Sequence, residues 1–500
     1  MLHDVYTFGQ FPARAHPERR LPAGPLMSTP SSQHEGAVTR TFVTLGSGDA
    51  LARIIAFGAF VYLARALGAE AFGTLELAAA IVIYGNRIVD LGFDLGLGVR
   101  EIAAGDDSTR PRLLTTALGT RSVAAVVVVG SLAGAGLWLL PSPEGEVLAL
   151  YGLTLFAVAL GTRWVHLGMD RSRLVAGARV LGELIMAATV LMFVRNADDL
   201  LRVPVARLVG DLVAAGLLLV GSYRLVRRRS RFDGDLARSL VPRAIPLVGG
   251  AIFGLMIFNA DLVFLRVFEG RAAVGHYAAA YALTSFVSNL GIAYALALLP
   301  TLTRLADRPG ERNELYRTAH AQVTTVSLAI ATGGALLAAP IVALVFGDAY
   351  AASALPLALV LWSVPLALLR DMPVTALMSD GLERPIVRLT GQAAAINIAL
   401  NAVLVPAAGM AGAAIATVVT ELCRWRLAVR AARPIGLEGP PLRRYWRGIF
   451  AAAVMAGILF VLRDQPLWVT LPTGAGVWAL ALTAVGGIRR NERGSPELRV

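Results

Sequence analysis

Long apolar runs recur along almost the whole chain, from residue 42 to residue 488, and this recurrence limits the fold more than any other feature. A membrane-spanning helix needs about 20 mainly apolar residues. Hydrophobic residues make up 56% of the chain and charged residues only 16%, whereas a soluble domain carries about 25% charged residues. The sequence therefore predicts an all-α polytopic membrane protein with about fourteen transmembrane helices. The predicted spans are 42–64, 74–96, 113–140, 147–168, 174–194, 201–223, 244–267, 274–300, 318–346, 353–378, 386–406, 409–429, 448–463 and 467–488.

The basic residues, all of them arginine, are distributed unevenly between the two sets of loops. The termini and every second loop hold 33 of the 46 arginines, and the opposite loops hold six. Because positively charged loops stay in the cytoplasm, both termini are predicted to be cytoplasmic in a multi-pass protein of the cell inner membrane. This placement explains the net charge of +12 without nucleic-acid binding.

The two most basic loops, 224–243 and 424–447, divide the apolar part of the chain. Six spans precede the first loop and six follow it, which predicts two lobes and a C-terminal pair of helices. The predicted domains are a disordered cytoplasmic N-terminus (1–36), an N-lobe (37–230), a C-lobe (231–435), spans 13 and 14 (436–490) and a cytoplasmic tail (491–500).

The two six-span halves repeat short sequence features at a nearly constant offset. Gly168-Met169-Asp170-Arg171 matches Gly381-Leu382-Glu383-Arg384, Asp211 matches Glu421, and Phe72-Gly73 matches Val274-Gly275. Six spans return the chain to the same side, so the repeat is parallel. Transporters built from repeats hold substrate between the halves and open alternately to each side.

Ionisable residues inside the predicted spans form a candidate site, because such residues usually face a cavity or a partner. Asp49/Arg53, Arg179/Glu183 and Arg207/Asp211 are each four residues apart on one helix face. Arg121 and Arg163 have no acid at helical spacing and need an acid from another helix, water or an anionic ligand. Since guanidinium groups bind phosphate bidentately, a cationic substrate cavity is predicted from Arg53, Arg87, Arg121, Arg163 and Arg179.

Four acids inside spans are candidates for ion coupling: Asp49, Asp90, Asp211 and Glu421. The buried asparagines Asn259, Asn397 and Asn401 are interpreted as interhelical hydrogen-bonding residues. The sequence has no phosphate-binding loop, since no lysine is present to complete one. No metal-ligand spacing or nucleophile motif is visible either. An ion gradient or the membrane potential, with no cofactor, is the expected energy source.

Several motifs resemble the polysaccharide-biosynthesis flippases of the multidrug/oligosaccharidyl-lipid/polysaccharide (MOP) exporter superfamily. Residues 64–73, Ala-Arg-Ala-Leu-Gly-Ala-Glu-Ala-Phe-Gly, are similar to the family's first outer loop, and Asp90-Leu91-Gly92 to the end of its second span. Residues 397–417 are similar to its asparagine-rich span, proline and small-residue run. The resemblance implies a two-lobed, V-shaped MATE-like bundle that flips a polyprenyl-diphosphate-linked O-antigen, capsule or exopolysaccharide unit by alternating access. It also implies lipid, polymerase and glycosyltransferase partners.

Three other functions remain open at this stage. A cation-coupled drug exporter of the same superfamily would be expected to have an acidic cavity, which Arg121 and Arg163 oppose. A flippase for the peptidoglycan precursor lipid II is favoured by the fourteen spans. A membrane scaffold of a sugar-synthesis complex would need longer cytoplasmic loops. None of these is an enzyme.

Overall fold

The computed structural model describes residues 32–226, 230–490 and 496–498. Residues 1–31 of the predicted N-terminal tail lie outside the described residues, as do Arg227-Arg228-Arg229 and most of the predicted C-terminal tail. The described chain is almost entirely helical. A short antiparallel hairpin, β1 (Ile488–Arg490) and β2 (Pro496–Leu498), follows the last helix.

Nine helices lie between the start of the description and residue 268. They are α1 (Ser32–Asp90), α2 (Leu97–Ala104), α3 (Thr109–Leu139), α4 (Glu144–Gly152), α5 (Thr154–Leu160), α6 (Arg163–Gly168), α7 (Ser172–Phe193), α8 (Arg202–Val226) and α9 (Gly234–Phe268).

Eight further helices complete the described chain. They are α10 (Arg271–Arg304), α11 (Pro309–Leu336), α12 (Ala338–Phe346), α13 (Ala354–Val360), α14 (Ser363–Ser379), α15 (Glu383–Ala432), α16 (Trp446–Val461) and α17 (Leu467–Ala484).

Eight helices in the described ranges are long and apolar enough to cross a membrane, or up to ten if each bent pair is one span. One of the eight, Glu144–Gly168, is divided into α4, α5 and α6. Two others contain non-helical residues: Gly68 (φ 73°) in α1, and Ala408 and Gly409 (φ 55°) in α15. The sequence places the junctions of spans one and two, and of spans eleven and twelve, at these points. The multi-span fold is confirmed, and the count of fourteen stays a prediction.

The described residues divide into two compact units. Residues up to Leu67, together with Ala78–Ile252, form the first unit; Gly68–Leu77 and residues from Phe253 onwards form the second. The first contains an apolar core built around Phe93, Leu97, Ile102 and Trp164.

Close backbone contacts hold neighbouring helices together in the first unit. A Cβ at Gly182 would lie 2.9 Å from the Gly210 carbonyl oxygen, and one at Gly210 would lie 2.5 Å from that of Gly182. Such small residues let α7 and α8 approach more closely than larger side chains allow.

The last two helices, α16 and α17, pack against α11 and the residue that follows it in the second unit. Leu337, Met455 and Leu459 form a buried cluster. The segment before α16 adds two ion pairs, Arg317–Glu438 at 2.6 Å and Arg444–Glu314 at 2.7 Å. The pair α16–α17 is therefore an integral part of this unit.

Candidate functional site

One carboxylate of the first unit serves two predicted substrate-binding arginines. Asp49 Oδ2 accepts from Arg53 Nε at 3.0 Å, and Asp49 Oδ1 accepts from Arg179 Nη1. The first contact follows from i,i+4 spacing on α1, and the second joins α1 to α7. The three side chains are 21–30% exposed. Asp49 thus pairs with two guanidinium groups, and we call these three residues the Asp49 cluster.

A second charged cluster lies at the close α7–α8 contact. Arg207 Nη1 donates to Glu183 at 3.2 Å and Arg207 Nη2 approaches Asp211 at 2.9 Å. The sequence predicted an ion pair between Arg179 and Glu183 on one helix. In the structure, Arg179 instead pairs with Asp49, and Glu183 pairs with Arg207. The glycine contact between Gly182 and Gly210 brings the helices close enough for this exchange.

Arg121 is fully buried and makes three contacts within the protein. Its guanidinium donates to the carbonyl oxygens of Gly161 and Val158, each at 2.6 Å, and to Asp90 Oδ1 at 3.2 Å. Predicted span four is interrupted at Gly161-Thr162, between α5 and α6. An interrupted helix leaves carbonyl groups without helical partners; Arg121 donates to the Gly161 carbonyl at this interruption, and to the Val158 carbonyl, which also accepts from the Gly161 backbone N–H at 3.1 Å. Of the three partners that the sequence allowed for Arg121, the acid from another helix is the one observed.

The Asp90-Leu91-Gly92 motif forms the turn that ends α1. Leu91 and Gly92 both have positive φ, 50° and 72°, a conformation that favours glycine. Asp90 accepts from the backbone N–H of Asp94 at 3.2 Å as well as from Arg121. Arg87, one turn earlier, is only 2% exposed. Asp90, Arg121 and Arg87 thus lie together in the protein interior.

Arg163 differs from the other predicted cavity arginines. It is the first residue of α6 and is half-buried. Within the described ranges, no hydrogen bond or ion pair of its side chain is present. A half-buried guanidinium with open donors can bind an anionic ligand.

The second unit contains a buried cluster of oxygen-bearing side chains. Asp261 accepts from Asn401 Nδ2 at 2.6 Å, Thr417 Oγ1 at 2.7 Å and Tyr277 Oη at 2.8 Å. Asn397 contacts Asn401, and all of these side chains are at most 2% exposed. We call these five residues the Asp261 cluster.

The Asp261 cluster has one negative charge and an unused acceptor. Asn401 Oδ1 is buried without a hydrogen-bond partner. A buried carboxylate needs a compensating charge, and its neighbours offer hydroxyl and amide oxygens of the kind that hard cations prefer. The cluster can therefore hold a monovalent cation or a proton. Sequence reasoning assigned these asparagines to helix packing and did not consider Tyr277 and Thr417 with them.

Each of the four predicted ion-coupling acids has an arginine partner. Asp49, Asp90 and Asp211 contact Arg53, Arg121 and Arg207, respectively. Glu421 contacts Arg370 at 3.1 Å and also Arg424. A carboxylate neutralised by a guanidinium has little charge left to attract a cation. Across the described residues, no group of three or more His, Cys, Asp and Glu is placed to bind a metal ion.

Comparisons with known proteins place the chain in a family. The model of the polysaccharide biosynthesis protein family matches residues 38–306, more than half of the chain. No curated protein matches the sequence.

Solved structures share the fold at low sequence identity. The lipid II flippase MurJ, in an inward closed conformation, superposes with a TM-score of 0.76 at 10% identity, covering 89% of this chain and 98% of that one. An inward-facing MATE multidrug transporter gives 0.59 at 15% identity, covering 77% and 93%. A MOP superfamily transporter from Pyrococcus furiosus gives 0.51 at 13% identity, covering 80% and 96%. The chain belongs to the polysaccharide biosynthesis protein family and has the fold of the MOP superfamily.

Proposed function

We propose that this protein is a transporter that flips a polyprenyl-diphosphate-linked oligosaccharide across the cytoplasmic membrane by alternating access. Family membership supports a place in polysaccharide biosynthesis. The likeness in fold to a lipid II flippase and to MATE transporters supports transport over catalysis. The substrate is an O-antigen, capsule or exopolysaccharide repeat unit on its lipid carrier.

The proposal rests on three partly exposed guanidinium groups inside predicted spans of the first unit. Asp49 is shared by Arg53 and Arg179, which remain partly exposed. Arg163 adds a third half-buried guanidinium. Each arginine has five N–H donors, and partly exposed guanidinium groups such as these can donate to a diphosphate. Arg87 and Arg121, which are fully buried, hold the fold of this region and do not bind substrate in our proposal.

The test removes two of these positive charges and leaves Asp49 with a guanidinium partner. Arg163→Gln and Arg179→Gln are combined, because Asp49 then keeps Arg53 as its partner. A charge-assisted hydrogen bond contributes about 1.5–3 kcal/mol, so transport should fall at least roughly tenfold. Lipid-linked oligosaccharide should accumulate on the cytoplasmic face, and surface polysaccharide should fall.

The matched control is Arg426→Gln, which removes one exposed arginine of α15 and should leave transport unchanged. Arg179→Lys keeps the charge but loses the bidentate fork, and an intermediate rate is expected. Normal surface polysaccharide in the double variant, at normal protein level, would refute the proposed binding role.

We propose that the Asp261 cluster couples transport to an ion gradient. Among the acids discussed above, Asp261 has hydroxyl and amide partners in place of a guanidinium. Its single charge suits a monovalent cation or a proton. Asp261→Asn preserves the shape of the side chain and removes this charge.

In proteoliposomes, the unmodified protein should transport faster when a sodium or a proton gradient is imposed. Asp261→Asn should lose this response, while Asp464→Asn, an exposed control, should keep it. A gradient response that survives in Asp261→Asn would eliminate the Asp261 cluster as the coupling site without affecting the substrate proposal.

Lipid II is the second candidate substrate. The likeness to the lipid II flippase extends over 89% of this chain, more than that to the MATE transporter. Both candidate substrates place a diphosphate between a polyprenyl chain and a sugar. Rescue of a strain that lacks its own lipid II flippase would favour lipid II, whereas rescue of an O-antigen or capsule flippase mutant alone would favour the first proposal.

A further inference from the structure

A shallow apolar groove runs between α1 and α7 on the first unit. Its volume is about 430 Å³, and its lining is entirely glycine, alanine, valine and leucine. A Cβ at Gly48 would lie 2.6 Å from Ala176 Cβ, so the two helices cross closely at the floor. Over Gly177, no atom lies within 4 Å of where a Cβ would be. Leu51, Leu181 and Leu184, on the walls, are 49%, 40% and 47% exposed.

Two exposed arginines lie at the N-terminal end of α7, the helix that forms one wall of this groove. Arg173 shares a face of α7 with Gly177, Val180 and Leu184, because these residues are three or four apart. Arg171 lies just before the helix and is also exposed. In the described part of the chain, neither side chain has an ion-pair partner. This end of α7 adjoins a loop that is predicted to be cytoplasmic.

The Asp49 cluster fixes the two walls of the groove in place. The ion pair between Asp49 and Arg179 joins α1 to α7 beside Gly48 and Ala176. The groove is thus a built feature with an apolar floor and a cationic end. A lipid with an anionic headgroup and an apolar chain is complementary to this arrangement of charge and apolar surface.

We infer that this groove binds an anionic phospholipid of the cytoplasmic leaflet, with its phosphate at Arg171 and Arg173 and one acyl chain along Gly177 and Leu184. This site is separate from the proposed transport of glycolipid and does not depend on it. The phosphate of the headgroup provides the anionic partner that these two arginines do not have in the described part of the chain. The open space over Gly177 admits the chain.

The length of the groove favours a phospholipid over a polyprenyl chain. Gly177 and Leu184 are seven residues apart, or about 10 Å along a helix. One leaflet contributes roughly half of a hydrocarbon core that is about 30 Å thick. The groove thus lies within one leaflet, which suits a phospholipid acyl chain, whereas a long polyprenyl chain would extend well beyond it.

Native mass spectrometry of the full chain tests this inference, with phosphatidylglycerol as the anionic probe and phosphatidylcholine as the neutral one. Arg173→Gln should weaken phosphatidylglycerol binding roughly fivefold, since an arginine near an anionic headgroup contributes about 1 kcal/mol. Phosphatidylcholine binding should change little. Gly177→Leu should fill the groove and remove the tight phosphatidylglycerol adduct.

Two control variants separate a local site from general effects. Gly216→Leu on α8 also adds a side chain in open space, and Arg224→Gln removes an exposed arginine at the end of α8. Both should bind phosphatidylglycerol normally. Equal binding of the two lipids to the unmodified protein, or unchanged phosphatidylglycerol binding in Arg173→Gln, would refute the inference. Displacement of phosphatidylglycerol by a lower concentration of polyprenyl phosphate would also overturn it and reassign the groove to the carrier lipid.

Discussion

At the scale of single residues, identical sequence signals lead to different environments. Arg121 and Arg163 both lack an acid at helical spacing, and sequence analysis gave them the same role. In the structure Arg121 is fully buried against Asp90 and two carbonyl groups, whereas Arg163 is half-buried with open donors. The difference arises from the interruption of predicted span four at Gly161-Thr162, which no local sequence pattern predicted.

Arg121→Ala should destabilise the protein by about 3–5 kcal/mol, because it removes the guanidinium that pairs with the buried Asp90 carboxylate and that donates to the Gly161 and Val158 carbonyl groups. Thermal unfolding of the purified protein in detergent measures this loss. Asp90→Asn together with Arg121→Ala should recover part of it, since residue 90 then no longer carries the buried negative charge that Arg121 compensates. Arg163→Gln, which breaks no contact seen in the described chain, should unfold at the normal temperature. Equal unfolding temperatures for Arg121→Ala and Arg163→Gln would contradict this distinction.

Asp106 orders the loop between α2 and α3. It accepts from the Ser108 hydroxyl at 2.7 Å and from the Ser108 and Thr109 backbone N–H groups at 2.9 Å. These hydrogen bonds, led by that from the Ser108 hydroxyl, hold the pKa of the Asp106 carboxyl well below its usual range.

Because the folded pKa of Asp106 is lowered, its stabilising effect is present above the unfolded pKa of about 3.9 and is lost as the pH falls further. Asp106→Ala should therefore lower the unfolding temperature more at pH 7 than at pH 3. The effect should be small, since the loop is exposed. A difference that does not depend on pH would show that the charged form is not favoured by folding.

At the scale of helices, two glycines make a reciprocal contact in the second unit. A Cβ at Gly73 would lie 1.9 Å from the carbonyl oxygen of Arg271, four residues before Gly275. A Cβ at Gly275 would lie 2.0 Å from the carbonyl oxygen of Ala69, four residues before Gly73. The ion pair between Glu70 and Arg271 lies beside this contact. Only glycine permits such an approach of the two backbones.

Gly73→Val should force α10 away from α1 and destabilise the protein by about 1–3 kcal/mol or more, as overpacking does in other close contacts. Gly275→Val should do the same. Gly58→Val on the same helix α1 is the control, because no atom lies within 4 Å of its Cβ position. Thermal unfolding compares the three variants. If Gly73→Val is as stable as Gly58→Val, the close contact does not contribute to stability.

The positions of helices could be predicted from composition, whereas the contacts between helices could not. Apolar runs located most helices, because a run of about 20 such residues is itself the requirement for a span. The sequence also identified Gly73 and Gly275 as equivalent positions, but it did not predict that they contact each other. The Asp261 cluster was missed for the same reason: its side chains come from α9, α10 and α15.

At the scale of the whole molecule, the bias of arginine between loops predicts the topology. Both cytoplasmic termini and the count of fourteen spans are predictions of this bias. The single cysteine, Cys423, makes a direct test simple. Cys423→Ser provides a background without thiols.

Single cysteines in that background should react with a membrane-impermeant maleimide from opposite sides. Asp464→Cys should be labelled in intact cells, because it lies in a predicted outer loop. Asp107→Cys should be labelled only after permeabilisation, because it lies in a predicted cytoplasmic loop. Both side chains are at least 88% exposed, so access does not limit labelling. The same labelling pattern at both positions would contradict the predicted alternation of loops.

The reciprocal contact of Gly73 with Gly275 bears on the origin of the chain. If the six-span halves arose by gene duplication, these residues descend from one ancestral glycine. In a half-length ancestor, the same contact would join two identical subunits about a two-fold axis, since each copy presents the same surface to the other. The interface would then be older than the fusion, and the present chain would preserve within itself what began as a homodimer.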